Sequence, residues 1–408
     1  ASFLMTDYDV DESFGFQIPD LRFFDFEFDN VAPNNFNTRS NTAAKNVQIS
    51  YYNRPDTNSA HNFQATAFWN TRDTIDYNIT SIGGSVRKWL KLGLLSLNGS
   101  ARMEKFSTND SPGASTLGTD GWTLAEGEIV AEFALSKKLM LEGKGDIGIR
   151  TDNEQSFSIS SEITYQLLDR VSVSANGSIG QAMPTIQEKY WQSATFQGNS
   201  NLDAEDITRI GGQVEYRPHE ELKAGVKGEL KEIENGVHLS EDDQFINMQT
   251  YEARSVTAYG DWNTSSFELN GSVTWHSYTA DALDDFTNRL LRGQDRVFLK
   301  GGAYWKGYAF NRATFMKVGL WSIFSPNQYL AAQYRPILDR WQNANNTQLI
   351  PSFYRVDLDI SARVRWIIFT LRTENLLDDV GQAGYFNTAQ YPLPNRRFLF
   401  GLKVRFRN

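Results

Sequence analysis

Four acidic residues near the start, Asp7, Asp9, Asp11 and Glu12, are spaced as a calcium-binding loop would space its ligands. The helix–loop–helix calcium motif also needs glycine at its sixth position and glutamate at its twelfth. Glu12 and Ile18 stand there, so the run reads as a solvated acidic terminus. Glu241-Asp242-Asp243 and Asp284-Asp285 read as wet loop clusters, with divalent-cation bridging as their one chemical use. His61, His219, His238 and His276 are scattered, without a second ligand at metal spacing. No nucleophile elbow, phosphate loop or dinucleotide fingerprint occurs, and no pair of carboxylates is singled out for acid–base work. The expectation is therefore no catalytic residue, no metal and no cofactor: the chain is not an enzyme.

Composition narrows the remaining classes. The 408 residues carry 40 Lys and Arg against 49 Asp and Glu, a net charge of −9, and no cysteine. Without cysteine there is neither a disulfide framework nor a thiolate site, and the acidic balance argues against nucleic acid as a partner. No apolar run approaches the ~20 residues of a membrane helix.

Periodicity then separates a soluble β protein from a membrane barrel. Tyr354, Val356, Leu358, Ile360, Ala362 and Val364 alternate with Arg355, Asp357, Asp359, Ser361 and Arg363, a period that only a strand can use. Phe267 to His276 and Phe157 to Leu167 repeat it, as does Val171 to Ile179. The last segment sets Phe398, Phe400, Leu402, Val404 and Phe406 against Lys403, Arg405 and Arg407. Globular strands average ~5–6 residues, whereas a tilted membrane strand needs ~9–11, apolar toward lipid and polar toward the lumen.

Eighteen such segments are expected: 20–30, 45–53, 61–69, 75–89, 93–106, 121–135, 138–150, 155–167, 170–180, 206–217, 220–238, 245–263, 266–278, 296–306, 310–323, 353–365, 367–376 and 396–407. Tight turns are expected at Ser136-Lys137, Leu168-Asp169, Pro218-His219, Thr264-Ser265, Gly307 to Ala309 and Trp366. Long loops are expected at 107–120, 181–205, 279–295, 324–352 and 377–395. Each group keeps its own parity, so long loops share one end and tight turns the other. The expected fold is an all-β antiparallel transmembrane β-barrel of about 18 strands, within 16–22, spanning 20–408. Residues 1–19 are expected to form a periplasmic segment, both termini lying on that side of the outer membrane.

Pro184-Thr185-Ile186-Gln187-Glu188-Lys189-Tyr190-Trp191, then Gly198-Asn199-Ser200-Asn201-Leu202-Asp203-Ala204-Glu205, then Glu215-Tyr216-Arg217-Pro218 follow one another in this chain. Further on come Ile233-Glu234-Asn235-Gly236-Val237, Glu374-Asn375-Leu376-Leu377-Asp378 and Tyr391 to Phe398. In order and spacing this set resembles the barrel of TonB-dependent outer-membrane receptors, from about Lys138 to Asn408. Ser200 and Ala204 replace two loop prolines, and the chain ends Phe406-Arg407-Asn408 rather than on the aromatic.

The resemblance implies a receptor-type barrel for uptake of a scarce ligand. Such receptors have a plugged 22-stranded barrel, and here only about 20 residues precede the first expected strand, so a barrel without its plug is expected. The alternatives are a structural or scaffold subunit of an outer-membrane complex, a passive porin-like pore, or a soluble β-rich adhesin. Expected partners are outer-membrane lipid and lipopolysaccharide, the barrel assembly machinery, and a separate plug, lipoprotein or envelope subunit. Tyr190, Trp191, Phe196, Tyr329 and Trp341 in the long loops are the candidate ligand contacts. Phe398, Phe400, Leu402, Val404 and Phe406 are the candidate membrane-insertion signal.

Overall fold

The computed structural model describes residues 2–15, 37–53, 59–73, 77–110, 119, 121–192, 197–240, 244–280, 296–325, 329–330, 332–335, 340–343, 349–350, 352–378, 386–388, 391–392 and 396–404. Eighteen strands form one antiparallel sheet in which each pairs with the next along the chain. They are β1 (Ser2–Gly15), β2 (Asn37–Asn53), β3 (Ser59–Asp73), β4 (Tyr77–Leu92), β5 (Leu95–Asp110) and β6 (Gly121–Ala134). Then come β7 (Leu139–Arg150), β8 (Gln155–Leu168), β9 (Val171–Ala182), β10 (Glu205–His219), β11 (Leu222–Glu234) and β12 (Tyr251–Asn263). The last six are β13 (Phe267–Ala280), β14 (Arg296–Ala309), β15 (Thr314–Ser325), β16 (Phe353–Val364), β17 (Ile367–Glu374) and β18 (Arg397–Val404). The expected all-β barrel of eighteen strands is the fold observed. A strand can cross hydrocarbon only if its backbone groups are paired with neighbouring strands, and β2 to β17 each have a partner on both sides.

Burial is inverted relative to a soluble domain. Phe400 is 73% exposed and Ile210 63% exposed, and Val273, Phe157, Ile159 and Ile163 are likewise exposed on the outer face. On the opposite face Asp357 is fully buried, and Arg355 and Glu374 lie inward beside it. The period-two faces assigned from Phe157 to Leu167 and from Phe267 to Trp275 hold in the burial pattern. That from Phe398 to Leu402 holds in the register, with Phe400 opposite Leu371 and Leu399 opposite Arg372.

Several boundaries move, each for a local reason. Ser2–Gly15 lies within the segment expected to precede the barrel, yet it pairs along its length with Asn37–Asn53. Its alternating aspartates are a strand pattern, which their density disguised as a tail. The strand expected at 20–30 lies outside the described residues. The segments 220–238 and 245–263 do not run straight through: β11 stops at Glu234 because Asn235 takes a positive φ of 55°. Val237–Leu239 and Phe245–Asn247 then pair with each other off the sheet. The turn expected at Gly307 to Ala309 lies further on, at 310–313, where Phe310, Asn311 and Arg312 have φ of 53°, 52° and 67°. Gly307 remains within β14, where a Cβ would come within 2.3 Å of the Trp305 ring. The turn expected at Pro218-His219 becomes 220–221, with an irregular register between Tyr216 and His219. The tight turns at 135–138, 169–170, 264–266 and 365–366 all fall at one end of the sheet, opposite the long loops.

Candidate functional site

The one buried apolar cluster among the described residues lies at the long-loop end. Trp191, Phe245, Leu239, Leu202 and Ile186 form it, with Ile79, Trp122, Tyr190 and Val237 packed against it. Its residues come from the β9–β10 loop and the β11–β12 loop, and they rest on the long-loop ends of β4 and β6. The two loops thus fold into a cap rather than extending into solvent.

The cap grows from a short helix, α1 (Ile186–Tyr190). Thr185 is its N-cap: Oγ1 accepts from the Glu188 amide at 3.2 Å, and Glu188 Oε2 accepts from the Thr185 amide at 2.6 Å. This reciprocal pair satisfies two amides that a helix start otherwise leaves unpaired. Trp191 follows, with its ring fully buried. The chain returns so closely at Gly198 that a Cβ would stand 2.7 Å from the Lys189 carbonyl and the Trp191 amide. Asn199 then donates its amide to the Glu188 carbonyl at 2.8 Å and its side chain to the Phe245 carbonyl at 2.9 Å. Asn247 ties the loops further, donating to the carbonyls of Asp203 and Asn235 and accepting from the Asp203 amide. Glu205, the last residue of the second motif, accepts from the Val237 amide at 2.6 Å. The motif residues Pro184 to Trp191, Gly198 to Glu205 and Asn235-Gly236-Val237 are therefore one interlocked unit.

Charge fastens the cap to the wall. Arg150, buried at the end of β7, grips Asp152 through two hydrogen bonds of 2.8 and 2.9 Å and donates to the Pro184 carbonyl at 2.7 Å. Lys189 pairs with Glu154, and the Tyr190 hydroxyl donates to Asp152 at 3.1 Å. Burial disfavours the Asp152 charge, but the Arg150 guanidinium and the Tyr190 hydroxyl outweigh it and hold the carboxyl below its usual range. Burial, with the Asp152 charge beside it, pushes the Tyr190 phenol upward.

A second charged group sits inside the long-loop ends of β16, β17 and β18. Asp357 accepts from Arg355 Nε and Nη2 at 2.8 Å, from Arg372 at 3.0 Å and from the Asn375 amide at 3.0 Å. Glu374 takes Arg397, and Asp378 takes the Arg396 amide at 2.9 Å. The Glu374-to-Asp378 motif and Arg396-Arg397 thereby clasp the loop that joins β17 to β18. A buried carboxylate surrounded by donors in this way is a structural anchor whose cost falls on whichever partner is removed.

The candidate ligand contacts separate on this geometry. Trp191 is core, with no surface for a ligand at the mouth, and Tyr190 is half-buried with its hydroxyl committed to Asp152. Phe196 lies outside the described residues. Tyr329 and Trp341 belong to short strands, Tyr329–Leu330 and Arg340–Asn343, and their side chains lie outside what the structure describes. Phe398, Phe400 and Leu402 face outward on β18, Val404 closes it, and Phe406 lies outside the described residues. The anchoring Arg150, Asp152 and Glu154 were not legible as a site, although their i, i+2 spacing at a strand end was a usable signal. Among the described residues no group of His, Asp or Glu could hold a metal ion.

A family model described as "Putative porin" matches residues 24–408. No curated protein matches the chain. Among solved structures, the siderophore receptor PirA from Pseudomonas aeruginosa is similar at a TM-score of 0.64 and 13% identity, covering 90% of this chain and 64% of that one. The copper transporter OprC is similar at 0.67 and 12%, covering 90% and 66%. The FrpB iron transporter from Neisseria meningitidis is similar at 0.62 and 11%, covering 90% and 63%. The chain spans less than two thirds of the length of each, and at these identities the likeness is one of fold: a barrel resembling theirs.

Proposed function

The chain belongs to the family described as "Putative porin", and on that premise we propose that this outer-membrane barrel passes polar solutes through its lumen. The observation that carries the reading is the wettable inner wall. Lys317 meets Glu268 at 2.8 Å, Lys144 meets Glu128 at 2.7 Å, and Arg372 bridges Asp357, while the apolar faces point outward. Barrels of this strand number leave an aqueous channel. The cap stands at one side of the mouth and limits what enters.

Steady ion conductance of the full chain in a planar bilayer is the expected result. A chain that assembles but stays closed would overturn the pore reading. It would favour the second one, receptor-type uptake of a scarce ligand past an occluding element, which the likeness to a siderophore receptor and a copper transporter supports. Lipopolysaccharide around the outer rim and the assembly machinery are the partners this placement entails. The same reading puts the cap outside the cell and both chain ends in the periplasm. A single cysteine at Asn201 should then react with an impermeant thiol reagent on intact cells, and one at Asp169 only after the envelope is opened. The reverse pattern would invert the orientation.

A further inference from the structure

The lumen wall is uneven in charge. On β6, β7 and β8 the inward faces carry Glu126, Glu128, Glu132, Glu142, Asp146 and Glu162. Below the rim Lys144 is the one cation on that face among the described residues. Glu132, Glu142 and Glu162 stand directly opposite one another in register, and all three are exposed to the lumen. Glu128 likewise faces Asp146 across the same pair of strands. Like charges placed opposite weaken a sheet, so the row is not there for the stability of the wall.

On β15 to β18 the balance reverses. Lys317, Arg355, Arg363, Arg372, Arg397 and Lys403 face inward against Asp357, Asp359 and Glu374. Arg363 and Lys403 share a row through Ile368, and both are exposed. The centres of the two sectors lie about nine strands apart in the sheet order, which in a barrel of eighteen strands is halfway round the wall.

Strands about 4.8 Å apart and tilted by about 40° give such a wall a backbone diameter of roughly 35 Å. The screening length at physiological ionic strength is only about 8 Å. The two sectors therefore do not cancel across the lumen: each attracts its own counter-ions along its own wall.

We infer that the lumen conducts along two lanes of opposite sign, cations and cationic groups down β6–β8 and anions down β15–β18. This rests on the pore reading above and adds the residues that set its selectivity. The full chain is reconstituted in a planar bilayer under a potassium chloride gradient, and the reversal potential is measured for three variants. Combined Glu132→Gln, Glu142→Gln and Glu162→Gln lowers the potassium-to-chloride permeability ratio by about threefold or more at low salt. Combined Arg363→Gln and Lys403→Gln raises it by a similar factor, and the five substitutions together return it toward the wild-type value. Both shifts fade in 1 M salt, where the screening length is about 3 Å.

Heat-modifiable migration on a gel verifies that each variant assembles; Glu142→Gln alone gives a smaller shift of the same sign. Conducting channels in which both sets shift the same way, or neither shifts, overturn the two lanes and leave the pore intact. An assembled wild-type chain without conductance overturns both.

Discussion

Trp191 in the cap and Phe400 on β18 are both large apolar side chains, yet one is fully buried and the other is 73% exposed. The cap obeys the arithmetic of a soluble domain: water surrounds it, so its aromatics gather inward around Phe245 and Leu239. The wall obeys the arithmetic of lipid, where the surrounding solvent is as apolar as phenylalanine and the costly groups are the charges. One chain thus contains two definitions of inside. They meet at Arg150, Asp152 and Glu154, where wall-end charges hold the cap in place.

The largest effect should come from emptying the cap's core. Trp191→Ala removes a fully buried ring, which typically costs about 3–5 kcal/mol. Loops 183–204 and 235–250 should become protease-sensitive while the wall keeps its heat-modifiable migration. Loss of both together would show that the two regions fold as one and would break the contrast. Next comes a charge on the lipid face. Phe400→Lys should cost about 2–4 kcal/mol near the bilayer midplane, read as a fall in the assembled fraction. Leu399→Lys, whose side chain points to the lumen, adds only the smaller cost of a like charge opposite Arg372 and should assemble far better than Phe400→Lys; equal defects would refute the register. Thr185→Ala removes the N-cap of α1 and should loosen the cap by about 1 kcal/mol, seen as faster proteolysis of the same two loops with no change in the wall.

The smallest effect is one of pH. The Asp152 carboxyl is held low in the folded cap, so its contribution is present above the ordinary carboxylate range and is lost as pH falls through its depressed value. Tyr190 is shifted the other way; its contribution is full below the ordinary phenol range and is lost as pH rises through its raised value. Proteolysis of the cap should accelerate at both extremes and stay flat between them. A cap that loosens near neutrality would point to a different latch.

The alternation and the parity of the loops were legible because a barrel strand needs only its own sequence to separate two faces, whereas the first strand was misplaced: Ser2–Gly15 forms it. Phe398, Phe400 and Leu402 face lipid as their spacing required. The exceptions were places where a local signal had two readings: the aspartates of Ser2–Gly15 resembled a tail, and Gly307 resembled a turn. The cap was legible only as a motif. Pro184 to Trp191 and Gly198 to Glu205 could be quoted but not interpreted, since Gly198, Asn199 and Phe245 meet only after the loops have folded back.

Sequence by itself therefore determined a wall with an apolar outside and a charged inside, because period two assigns faces one strand at a time. Tertiary structure alone decided that Trp191 is core rather than ligand contact. It also decided that Glu132, Glu142 and Glu162 form one row, and that Arg363 and Lys403 share another through Ile368. Burial in the cap and position around the barrel depend on the register between strands distant in the chain, and no single strand carries that information.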